Sequence, residues 1–175
     1  MTHILKEATA GTIFGIAVGL VMAGLLVYRS LTCPYYLVKA ESIKIIYEPK
    51  EVADEELYKQ QCESEIKAHL EFPLGKVDKI IVTNGFFSID HTVEKKNIPL
   101  VLKLLNDTAS YVWGEVGTFI PGKKIIFYDS RNNPVGITHI DKEEVFTYSH
   151  PYLCRMKWGT LTEKGNKELH RLIEE

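Results

Sequence analysis

The chain has 175 residues, of which 45% are apolar, enough for one packed globular unit. Its 21 Lys+Arg and 23 Asp+Glu are dispersed and leave a net charge of −2, so no basic stripe marks it for nucleic acid. Three cysteines, Cys33, Cys62 and Cys154, form no CxxC pair, which excludes a zinc ribbon and a dense disulfide framework and permits at most one bridge.

In chain order, residues 1–9 read as a short tail and residues 10–28 as a single transmembrane helix. Ala10 to Val27 carries no charge over eighteen residues, with Lys6-Glu7 before it and Arg29 after it. At 1.5 Å per residue that run would rise about 27 Å, close to the roughly 30 Å of a bilayer's hydrocarbon core. A cleaved signal peptide and a buried helix are the competing readings; the length of the run, the Lys6-Glu7 flank and the glycine content disfavour them. Gly11, Gly15, Gly19 and Ala23 recur every four residues, so a groove on one helix face is expected to pack against another transmembrane helix, including one from a second copy. The implied partners are the lipid bilayer and that helix, with the globular domain preferentially extracytoplasmic although flanking charge is nearly balanced.

Residues 29–40 read as a juxtamembrane linker and residues 41–175 as a small α+β domain, an antiparallel sheet with two or three helices packed on one face. Ile43, Ile45 and Tyr47 alternate as in a strand that ends at Pro49. Asp54 then caps a helix with Leu57, Tyr58, Cys62, Ile66, His69 and Leu70 as its buried stripe. Strands follow over 77–83 and 86–90, joined at Asn84-Gly85. A helix begins at Asn97-Ile98-Pro99 and carries Val101, Leu102, Leu105, Ala109 and Val112 at helical spacing. Strands over 123–128 and 135–139 flank the turn residues 129–134, and 146–148 with 152–158 extend the meander. Thr162 caps a last helix bearing Leu169, Leu172 and Ile173.

No phosphate-binding glycine loop, nucleophile elbow or HExxH motif is present, which lowers the prospect of the familiar enzyme classes; no cofactor and no metal site is expected. His139, Asp141, His150 and Cys154 form the best polar cluster in the sequence and are the first candidates if the chain is an enzyme acting at the membrane surface. Cys62 fits a buried thiol on an apolar helix face, which is the favoured reading; a Cys62–Cys154 disulfide is the alternative if the domain lies outside the cytoplasm. The segment Thr160 to Ile173, with Leu161-Thr162 ahead of Gly165 and a terminal amphipathic helix, resembles the strand-to-helix exit of winged-helix regulators. That resemblance implies a membrane-linked regulator, but no pair of helices with a basic recognition face precedes it. The leading expectation is a membrane-anchored, non-enzymatic binding or assembly module that binds protein through the α+β domain.

Overall fold

The computed structural model describes residues 12, 14–27, 55–84, 90–113, 120–142 and 146–174. Two compact units divide the chain, Met1–Leu37 and Val38–Glu175. In the first, Thr12 and residues 14–27 are helical (α1). Among the described residues no helix is long and apolar enough to cross a membrane. That finding overturns the single-pass architecture and the membrane localisation expected from sequence. Gly11, the first residue of the small-residue repeat, lies outside the described residues.

The second unit is α+β. Its elements are α2 (Glu55–Lys67), β1 (Lys79–Thr83), β2 (His91–Thr92), α3 (Ile98–Asn106), β3 (Pro121–Tyr128), β4 (Pro134–Asp141), β5 (Thr147–His150) and α4 (Glu163–Glu174). Short 3-10 turns occupy Thr108–Ser110 and Cys154–Gly159. The five strands form one antiparallel sheet in the order β2-β1-β3-β4-β5. The strand expected near residues 43–47, Asp54 as a cap, and residues 85–89 of the first hairpin lie outside the described residues. The stretch 152–158, expected to extend the meander, instead carries the 3-10 turn.

Strand β3 is central because its sequence is apolar on both sides: Ile125, Ile126 and Phe127 are all fully buried. Ile80, Val82, Ile125, Phe127 and Ile140 face the helices, where they meet Val101 and Leu105 of α3 and Leu169 and Leu172 of α4. Alternation sends Ile81, Ile126 and Ile137, mutually paired across three strands, to the opposite face, and they too are buried. The β3–β4 turn is held by Asp129, whose Oδ1 accepts the backbone N–H groups of Arg131 and Asn133, both at 2.8 Å, while Asn132 takes a positive φ of 60°. These bonds also hold the Asp129 carboxyl below the usual carboxylate range, the Asn133 side chain contributing most.

α3 follows the expected apolar spacing, with Ile98, Val101, Leu104 and Leu105 buried, but stops at Asn106, so Val112 falls outside it and is exposed. Asn97 stands at its N-cap without a side-chain cap bond; the buried amide instead donates to the Leu172 carbonyl at 3.2 Å, tying α3 to α4. Thr162 does cap α4, its Oγ1 accepting the Gly165 N–H at 2.9 Å.

Phe72 ties the segment after α2 to the sheet. Its ring meets Phe127 edge-on at 5.0 Å, and Asn106 brackets its backbone, accepting its N–H at 2.7 Å and donating to its carbonyl at 2.6 Å. Gly136, opposite Phe127 in β4, leaves the space that this needs: a Cβ there would lie 2.7 Å from Pro73 Cβ and 3.0 Å from Phe72 Cζ. Gly136→Ala is therefore expected to destabilise the domain by about 1–3 kcal/mol through overpacking, read as a lower urea midpoint with an unchanged m-value.

Candidate functional site

Helix α2 differs from its sequence expectation in which face is buried. Leu57 and Ile66 are 53% and 60% exposed, whereas Glu65 is 1% exposed. The reason is a cluster of bonds to one residue. Cys62 and Cys154 are joined in a disulfide with Cα atoms 5.4 Å apart, where sequence favoured a buried free thiol. Glu65 Oε2 accepts the Cys154 N–H at 2.9 Å, and the Tyr58 hydroxyl donates to the Cys154 carbonyl at 2.6 Å. Gln61 completes the carboxylate by donating to Glu65 Oε1 at 3.2 Å. Backbone N–H, backbone carbonyl and sulfur of Cys154 are thus each held by α2, and the helix turns to satisfy them at the expense of two aliphatic side chains.

Removing the link should be measurable. It closes a separation of 92 residues, and Cys62→Ala is expected to cost roughly 2–5 kcal/mol of domain stability, checked by urea unfolding under non-reducing conditions.

The clamp also orders aromatic side chains at the surface. Trp113, 54% exposed, meets Tyr58 edge-on with ring centroids 5.5 Å apart. Tyr58 in turn lies 3.5 Å, oxygen to oxygen, from Tyr152. Burial and then the Tyr152 hydroxyl raise the Tyr58 pKa far above the ordinary tyrosine value, so the phenol stays protonated and keeps its donor role. The Trp113 ring is thus half exposed with its contact to Tyr58 of α2 on one side. Sequence reasoning missed Trp113 because no periodic element contains it; its only signal was its size.

The sequence-selected polar residues do not converge. His139 and His150 lie on one face of β4 and β5, two positions apart in register, with Lys124 directly across from His139. Asp141 is buried at the end of β4, where its Oδ1 accepts the Phe146 N–H at 2.7 Å, and Cys154 is committed to the disulfide. His139 makes no hydrogen bond to Asp141, so no oriented acid/base pair forms. Among the described residues no group of three or more His, Cys, Asp or Glu could hold a metal ion.

Burial, then Lys124, then His150 depress the His139 pKa below its ordinary 6.5. The unfolded chain consequently binds more protons than the folded one between the two values, and stability falls as pH drops below about 6.5 towards the folded value. Urea midpoints measured from about pH 7 to about pH 5 should decline, and His139→Gln should flatten that decline.

The winged-helix-like segment also resolves into separate roles. Thr160 pairs with Phe146, Leu161 pairs with Tyr111, and the outer face of α4 alternates charge through Lys167–Glu163 and Arg171–Glu168 ion pairs. That face is mixed rather than basic.

In α1, nine large apolar side chains from Phe14 to Val27 are 42–73% exposed. A Cβ built on Gly15 or Gly19 would meet nothing within 4 Å. Ala23 lies one helical turn after Gly19 on the same side.

No family model, curated protein sequence or solved structure matches the chain.

Proposed function

We propose that this chain is a non-enzymatic assembly and binding module. α1 pairs with α1 of a second copy through the face of Gly15, Gly19 and Ala23, and the α+β domain presents a protein-binding surface around Trp113. The observation that carries the reading is the exposure of α1. Its nine large apolar side chains stand on every side of the helix, and such a helix lowers its free energy only by burial against another surface. A second copy is the occupant that supplies the same apolar surface at equal concentration, and a two-fold pairing lets one small-residue groove serve both partners. The two glycines contribute close backbone approach, which multiplies dispersion contacts along the crossing. The divided polar residues on the sheet support a binding role over a catalytic one, since His139 lacks an orienting partner and Cys154 is not a free thiol.

Sedimentation velocity on the full chain tests this reading. A concentration-dependent dimer is expected, and Gly15→Ile should weaken dimerisation by about tenfold or more while the thermal unfolding of the α+β domain stays unchanged. A monomer at all concentrations, or a dimer indifferent to Gly15→Ile, would overturn it.

A further inference from the structure

We infer that the domain has a ligand site of its own, a cleft that takes the carboxylate end of a molecule with an apolar body. This goes beyond the assembly reading and is independent of it. The cleft lies between the segment after α2 and the C-terminal half of α3 and has a volume of about 610 Å³, within the range of small-molecule sites. Phe72, Val77 and Leu102 give it apolar walls.

Its polar groups are unequal. Three cations line it, Lys76, Lys103 and Arg155, against the carboxylates of Glu71 and Asp107. Asp107 is already engaged, accepting the Ala109 N–H at 2.9 Å. Arg155 is the half-buried member. Its Nη2 donates to the Leu70 carbonyl at 2.6 Å and its Nη1 to the Asn106 carbonyl at 3.5 Å. Among the described residues no carboxylate lies within 4 Å of its guanidinium, nor of the ammonium groups of Lys76 and Lys103.

The two carbonyls fix the guanidinium plane but leave its charge uncompensated and about three of its five N–H donors available. A positioned, partly desolvated fork of donors matches a carboxylate bidentately, and the apolar walls select an organic acid over a hydrated inorganic anion. The two exposed lysines add attraction at the rim without fixed geometry. Such a carboxylate can belong to a free short-chain acid or to the C-terminus of a peptide; both present the same chemistry to Arg155.

Titration of hexanoate and of hexanamide into the full chain, followed by amide chemical shifts, is the test. Hexanoate is expected to shift the signals of residues 72–77 and 102–106 and to bind at least tenfold more tightly than the amide. Arg155→Lys, which keeps the charge and loses the fork, should remove most of that difference. The double variant Lys76→Gln/Lys103→Gln changes only exposed side chains, and it should weaken hexanoate about threefold or more without affecting hexanamide. Equal binding of acid and amide, shifts confined to other parts of the domain, or indifference to both variants would overturn the inference. In a competition arm, an acetylated tripeptide ending in leucine with a free carboxylate displaces hexanoate if the source is a peptide terminus and leaves it bound if the source is a free acid. None of these readouts depends on self-association, so failure here and failure of the assembly reading are separable.

Discussion

Strand β3 has to be dry on both faces, and the architecture of the domain follows from that. Ile125 and Phe127 point to the helices while Ile126 points the other way, and all three are fully buried. Pairing with β1 on one edge and β4 on the other satisfies the strand's backbone groups without water. Once Phe127 is fixed, the edge-on ring of Phe72 and the bare Cα of Gly136 are fixed with it, because only a glycine opposite leaves room for both. Asn106 then holds the backbone of Phe72 from the end of α3, so the sheet, the segment after α2 and α3 become one packed unit. The cleft beside Arg155 is the space left where these three meet.

A different logic attaches α2. Few of its side chains reach the apolar core, and its grip on the domain is polar and covalent: a carboxylate, a phenol and a sulfur all directed at Cys154. Buried carboxylates are tolerated only when their lone pairs are satisfied, and Glu65 meets that condition with a backbone N–H and the Gln61 amide. A helix held at three points keeps Tyr58 in place, with the Trp113 ring edge-on to it at 5.5 Å.

The polar face of β4 and β5 shows how adjacency differs from a site. Lys124 and His139 share a register position, and burial disfavours the charged form of each before their mutual repulsion is considered. That arrangement makes stability sensitive to pH. His139 makes no hydrogen bond to Asp141, whose Oδ1 accepts the Phe146 N–H in the chain reversal ahead of β5.

Element types in the α+β domain were legible locally. The apolar spacing from Ile98 to Leu105, the alternation and turn chemistry from Lys123 to His139, and Thr162 ahead of an amphipathic helix each carry their own period or cap, and a period depends only on neighbours in sequence. The N-terminal run was legible as apolar and helical, yet among the described residues no helix is long and apolar enough to cross a membrane. What sequence alone determined, then, is an apolar N-terminal helix, an α+β domain with antiparallel hairpins, and a balanced charge that gives no support to nucleic-acid binding. Only the tertiary structure decided the buried face of α2, the pairing of Cys62 with Cys154, the diversion of Asn97 and Asp141 to structural bonds, and the convergence of Arg155 with Asn106 and Leu70, 49 and 85 positions away. Each of these depends on a contact between distant segments, and the energy of such a contact is set by geometry that no local pattern encodes.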